Sequence, residues 1–206
     1  MNAMTVRKLM LSFLSALCLA AAAPAAGQAD TLELRGAAVP FGAAVGLNAP
    51  LVRIDNLLPG PITCTASNIS LRVQVNGVMG NPAEADVNAW VFGGCSNPIL
   101  GACALTTTGL PWPVGARMWT TGGVFKLNFG TNQIAVRCGA TTCLVSAAGG
   151  ALQLAGLWAD GTAATPATVT YNRTGLQILP GSARACNAFP DYTATYSTAG
   201  NDYSLV

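Results

Sequence analysis

Histidine is missing from this chain, and charge is scarce: of 206 residues none is His and only 9% are Asp, Glu, Lys or Arg. A globular domain ordinarily carries about 25% charged residues. Without imidazole there is no Ser-His-Asp or Cys-His machinery, no histidine metal ligand and no histidine pH switch. Basic clusters of the kind that neutralise phosphates are also absent. Arginines are scattered singly and Lys126 is the only lysine beyond residue 8, which argues against nucleic acid as a partner. Helical periodicity is lacking after the first 30 residues.

The one long apolar run lies at the start. Arg7 and Lys8 precede an apolar stretch from Leu9 to Ala23, and small residues follow, with Gly27 and Ala29 at the −3 and −1 positions of a cleavage site. This is the pattern of a secretory signal peptide over residues 1–29, with cleavage after Gly27 as a close alternative. The run is shorter than the roughly 20 residues that a spanning helix needs. Cys18 follows Leu17 rather than a small residue, which argues against lipid attachment. The leader contains two basic residues and no acidic ones, so the chain from Asp30 to Val206 balances eight basic groups against eight acidic ones. Residues 30–206 are expected to form a single domain, secreted or held in the cell envelope, or periplasmic in a Gram-negative cell.

Six cysteines remain after the leader: Cys64, Cys95, Cys103, Cys138, Cys143 and Cys186. An even number in an exported chain points to three disulfides, and the spacings do not match paired metal-binding thiols. If Ile134 to Cys138 and Cys143 to Ala147 form strands joined by a four-residue loop, Cys138 faces Cys143 and the two are expected to bond. Cys64 is then assigned to Cys95, near the ends of two strands, and Cys103 to Cys186.

Short runs rich in Val, Thr, Leu and Tyr recur between Gly, Pro and Asn, which is an all-β pattern. Strands are expected at 31–35, 51–56, 69–75, 87–92, 117–121, 124–129, 134–138, 143–147, 152–157, 168–172, 176–179, 192–196 and 203–206. Ile69 to Val75 alternates strictly between apolar and polar, as an antiparallel strand with one wet face does. Gly122-Gly123 signals a hairpin. Residues 36–50 read as an extended surface segment, and 97–112 as the most irregular stretch. The expected architecture is a single antiparallel β-sandwich, Ig-like or jelly-roll-like, stapled by disulfides. A transmembrane barrel would need strands of about 9–11 residues and aromatic girdles. The runs here are shorter.

Without histidine, catalysis would have to rest on carboxylates. Only Glu84 and Asp86 lie close together, on one face of a strand, where a solvated edge is the plainer reading. Asn81, Glu84, Asp86 and Asn88 offer oxygen atoms to calcium but lack the spaced loop that makes such a site specific. No G-x-S-x-G, S-x-x-K or phosphate-binding glycine loop is present. The candidate ligand contact is Trp112, stiffened between Pro111 and Pro113, where an exposed indole could stack on a sugar or a partner protein. Trp90, Trp119 and Trp158 read as core. Two glycosylation sequons begin at Asn68 and Asn172.

The order of features resembles that of the uncharacterised small secreted, disulfide-containing all-β proteins of actinobacteria and related high-GC bacteria. The shared points are Cys64 before an alternating strand, Phe92 to Cys95, the Pro111-Trp112 element, the C-x4-C spacing of Cys138 and Cys143, and Cys186 before Tyr192-Thr193-Ala194-Thr195-Tyr196. The resemblance implies an exported disulfide-bearing β-sandwich and brings no functional residues. The expectation is a non-catalytic module without cofactor or metal and without stable membrane insertion, binding a protein or polysaccharide at its surface. The alternatives are an adhesin or pilus-type subunit completed by a donated strand, and a carboxylate-only hydrolase.

Overall fold

The computed structural model describes residues 30–77, 81–119, 122–148 and 153–206. The signal peptide expected at 1–29 lies outside the described residues, as do Thr120, Thr121 and Leu152 of the expected strands. The fold is all-β, with antiparallel pairing throughout and no helix among the described residues.

The strands form a closed meander. Strands β3 (Ala44–Ala49) and β4 (Val52–Asp55) run end to end between β14 (Asp191–Asn201) and β5 (Ile62–Val75), since each pairs with both neighbours. Strand β5 pairs with β6 (Ala83–Asn97), and β6 in turn pairs with the collinear β7 (Gly101–Thr107) and β8 (Trp112–Trp119). Next come β10 (Ile134–Cys138) beside β7 and β9 (Val124–Asn128) beside β8, then β11 (Thr141–Ala147) beside β10 and β12 (Gln153–Ala159) beside β9. Strand β13 (Pro166–Ile178) pairs with both β11 and β12, and then with β14, which closes the ring. Each stave neighbours the next in sequence, so the sandwich-like layers are joined without a Greek-key crossing.

Proline accounts for the break between two of the collinear strand pairs. Pro50 lies between β3 and β4, and Pro111 just before β8; neither can donate to a ladder, so pairing breaks there. Strands β5, β6 and β13 have no such interruption and run for 14, 15 and 13 residues. They are longer than the sequence suggests because small or polar residues, such as Thr63 to Asn68 and Gly93 to Asn97, continue the ladder beyond the apolar runs. The segment 36–50 is not a surface strap: its second half contains β3, Ala44–Ala49, hydrogen-bonded into the ring. The irregular stretch 97–112 contains β7, whose Gly, Ala and Thr residues carry little strand signal.

Most inward positions are apolar and most outward ones are Thr, Asn, Ser, Gly or Arg. In β14, for example, Tyr192, Ala194 and Tyr196 are buried while Thr193, Thr195 and Ser197 face out. A lipid-embedded strand barrel needs the reverse pattern. No helix among the described residues is long and apolar enough to cross a membrane. The interior is filled rather than hollow at the waist, where Trp90, Trp112, Phe129, Tyr171, Tyr192 and Tyr196 pack edge to face or tilted, with ring centroids 5.0–6.2 Å apart. Gly156 makes room for one of them: a Cβ there would lie 2.9 Å from the Tyr171 ring.

A small sheet of β1 (Leu32–Leu34), β2 (Ala37–Ala38) and β15 (Tyr203–Leu205) caps one end. It is pinned by Asn76, whose Oδ1 accepts from Leu32 N at 2.6 Å and whose Nδ2 donates to Leu32 O and Val39 O, both at 2.8 Å.

All three disulfides lie in the opposite half. Cys64 bonds Cys95, its direct partner across β5 and β6. The other two pairs differ from the expectation: Cys103 bonds Cys138, and Cys143 bonds Cys186. The β10–β11 turn is shorter than its composition suggests. Only Gly139 and Ala140 lie outside the ladder, so Cys138 faces Thr141 while Cys143 falls opposite Val136. On its other side β10 meets β7, which places Cys103 directly across from Cys138. The β13–β14 connection then folds back along β11, with Leu179 N donating to Leu144 O and Ala183 N to Thr142 O, and brings Cys186 to Cys143.

Candidate functional site

Trp112, the residue the sequence singles out for ligand contact, is a core residue with no exposed surface. Its indole Nε1 donates to Thr108 O at 2.8 Å, and its rings pack on Trp90 and Phe129. The flanking prolines do make the segment stiff, but β8 begins at Trp112 and its alternation turns the indole inward. Gly115 leaves the space: a Cβ there would come within 2.8 Å of Trp112 O and of Val87 Cγ2. Trp119, by contrast, is half-exposed, with the Lys126 ammonium 4.7 Å from its ring centre.

Glu84 and Asp86 share the outer face of β6, as expected, but each is engaged by neighbouring strands. Glu84 Oε1 lies 3.0 Å from Arg117 Nε, its register partner's guanidinium on β8. Asp86 Oδ1 accepts from Val114 N at 2.9 Å and Oδ2 from Gln74 Nε2 at 2.6 Å. Those contacts make them strand-to-strand fasteners. No group of three or more metal-ligating acids, cysteines or histidines occurs among the described residues.

Sequence reasoning missed a second carboxylate pair. Asp55 and Asp191, far apart in the chain, are direct register partners across β4 and β14. Two like charges facing each other destabilise a sheet, and each is compensated here. Arg53 Nη2 reaches Asp55 at 2.7 Å, and Arg173 Nη2 reaches Asp191 at 3.2 Å. Asn56 Nδ2 adds a 3.3 Å bond to Asp191. The hydrogen bond from Arg53 holds the Asp55 carboxyl below the ordinary aspartate range and raises Arg53 above the ordinary arginine value. A carboxylate held ionised in this way cannot serve as the acid of a hydrolytic pair.

Beyond this charged cluster lies the disulfide-bearing end, built from the turns 56–61, 98–100, 139–140 and 179–190. It presents large apolar side chains: Phe189 is 84% exposed and Ile99 66%, with Leu100 beside it. The loop 56–61 links the two flanks. Asn97 Nδ2 donates to Pro59 O and Gly60 O at 3.1 Å, and Asn187 N donates to Leu57 O at 2.9 Å. Asn97 Oδ1 also accepts from Ile99 N and Leu100 N at 2.9 Å, which fixes the turn that displays them. No motif signals this surface, because its residues come from separate turns.

Two shallow cavities mark the waist where ladders are interrupted. One, of about 310 Å³, is lined by Pro50, Leu51, Arg53 and Thr193–Thr195. The other, of about 320 Å³, is lined by Val124, Ala155–Leu157, Thr170, Asn172 and Thr174. Compared with models of known families, with curated proteins and with solved structures, the chain has no match.

Proposed function

We propose that this is an exported, non-catalytic binding module that engages a protein partner through its disulfide-held apolar end. The observation that carries the reading is Phe189 and Ile99 standing clear of the fold on turns that Cys64–Cys95, Cys103–Cys138 and Cys143–Cys186 brace. Exposed apolar groups cost solvation free energy, and holding them rigid lowers the entropy lost on binding. The Arg53–Asp55 and Arg173–Asp191 pairs, one cluster on adjoining strands, set charged groups beside the apolar ones, and protein interfaces combine an apolar centre with polar margins. Three disulfides fit an oxidising compartment, and the leader-like first 29 residues fit export. Continuous pairing around the ring favours a self-sufficient module over one that awaits a donated strand.

The test is a photo-crosslinker placed at residue 189 of the secreted protein in its native cells, with Phe189→Ser and Ile99→Ser as competitors. The expected result is a single cross-linked protein, displaced by the parent protein and not by the double variant. If the double variant competes as well as the parent, the apolar end is not the contact surface.

A further inference from the structure

We propose a second binding surface, independent of the apolar end: a trans-strand groove at the waist that holds an uncharged, extended β-1,4-linked glycan. Its origin is topological. After the Leu157–Thr170 pair, β13 leaves β12, passes through the irregularity between Tyr171 and Thr174, and joins β11 at Leu176. On its other side, β14 exchanges β4 for β3 between Ala194 and Ser197, with Pro50 and Leu51 in the gap. Each gap leaves one of the two cavities, and each cavity's volume lies at the low end of the range that holds small ligands. Thr170 lines one and Thr195 the other, and their hydroxyls are 3.4 Å apart across the β13–β14 ladder, so the two cavities lie on either side of that hydroxyl pair.

The lining selects the ligand. Leu51 and Leu157, 55% and 65% exposed, stand at the outer ends as apolar surfaces for the C–H faces of sugar rings. Between them the Asn172 amide offers a donor and an acceptor, and the threonine hydroxyls, already engaged with one another, with Arg173 N and with Ala155 O, offer their remaining lone pairs. Arg53 is the one charged residue in the lining of the two cavities, and its guanidinium is turned to Asp55, so the pair carries no net charge. Spacing adds a further restriction. The cavities sit between β12 and β13 and between β14 and β4, so their centres are about two strand spacings apart, ~10 Å. Alternate rings of a flat β-1,4-linked chain return to one orientation at about that interval. An extended peptide returns every two residues, ~6.8 Å, and does not fit. A polyproline helix returns at ~9.3 Å, but such ligands are held by aromatic-lined grooves, and no aromatic residue lines either cavity.

Calorimetric titration of the oxidised protein with cellohexaose and xylohexaose, against cellobiose, tests the proposal. A hexasaccharide is expected to bind at least about tenfold more tightly than the disaccharide, because only the longer chain reaches both cavities. Leu51→Asp and Leu157→Asp, surface changes at opposite ends, are each expected to weaken that binding by about tenfold, and Phe189→Ser to leave it unchanged. Absence of hexasaccharide binding overturns the proposal, as does binding that neither aspartate variant weakens, or a proline-rich peptide that binds the groove where the glycans do not. Since Phe189→Ser reports on the apolar end alone, either surface can fail without the other.

Discussion

Tyr192 and Tyr196 donate and accept a single hydrogen bond, Oη to Oη at 2.7 Å, although they stand four residues apart on β14. Residues so placed have backbones about 13 Å apart, so the two phenols lean toward each other from opposite halves of the ring and meet at the waist. Ser67 Oγ lies 2.7 Å from Tyr196 Oη, and Trp90 Nε1 donates to both oxygens at 3.1 Å. The Tyr171 hydroxyl is buried nearby without a hydrogen-bond partner among the described residues.

Tyr196→Phe and Tyr171→Phe are therefore expected to differ in sign or size. The first removes a hydroxyl that joins Ser67, Trp90 and Tyr192, and is expected to cost about 1–3 kcal/mol. The second removes a hydroxyl whose desolvation is uncompensated, and is expected to be neutral or stabilising. Urea unfolding of the two variants checks this. Equal losses would mean that the network contributes nothing beyond ring packing.

The same burial sets a pH dependence. Desolvation raises Tyr171 and Tyr192 well above the ordinary phenol value, and Tyr196 above it. The folded state thus keeps protons that the unfolded chain loses above about pH 10. Their contribution is fully present below that value. It falls as pH rises from there toward the folded-state values, by about 1.4 kcal/mol per pH unit for each tyrosine. Unfolding free energies at about pH 8, 10 and 11 are expected to show a plateau and then a decline, less steep in Tyr192→Phe. A stability that stays flat into strong alkali would contradict the burial of these rings.

Much of the fold follows from residue-level patterns, and the exceptions have physical causes. The alternation in Ile69 to Val75 and the Thr-rich run from Tyr192 place two staves because one wet face and one dry face leave a period of two. Strand β7 escapes notice because Gly101, Ala102 and Ala104 have too little side chain to register as apolar or polar. The Cys64–Cys95 pair follows from strand ends that face each other. The other two bridges depend on a turn length and on β10 having a second neighbour, and composition reveals neither. Trp112 illustrates the limit for sites: prolines on both sides fix its backbone, but which way the indole faces depends on where β8 begins. The surfaces proposed for binding come from turns and ladder gaps far apart in the chain, so no local motif marks them.

Cross-links confined to one half predict uneven resistance to reduction. Cys143 and Cys186 are 43 residues apart, and closing such a loop stabilises by about 4 kcal/mol on chain-entropy grounds. Replacing both by Ser is expected to lower stability by about that amount. It should also speed hydrogen exchange first in residues 179–190, the connection that bonds to β11 through Leu179 and Ala183, while β8, β9 and β12 keep their protection. Uniform loss of protection around the whole ring would show that the two halves do not open separately.

Asp86 and Val114 supply a test of the reading that the β6 carboxylates are fasteners. Val114 has φ of 49°, a left-handed conformation that a β-branched residue adopts at a cost of about 1–3 kcal/mol. Its N–H donates to Asp86 Oδ1 at 2.9 Å, and that charge-assisted bond is what offsets the conformation. Asp86→Ala is expected to destabilise by about 1–3 kcal/mol. Val114→Gly, which relieves the backbone and trims a half-buried side chain, is expected to be near neutral. In the double variant the loss from Asp86→Ala should shrink, giving a coupling above about 0.5 kcal/mol in a double-mutant cycle. Additive effects would mean that Asp86 does not hold the Val114 backbone, and its carboxylate would again be open to a role in chemistry.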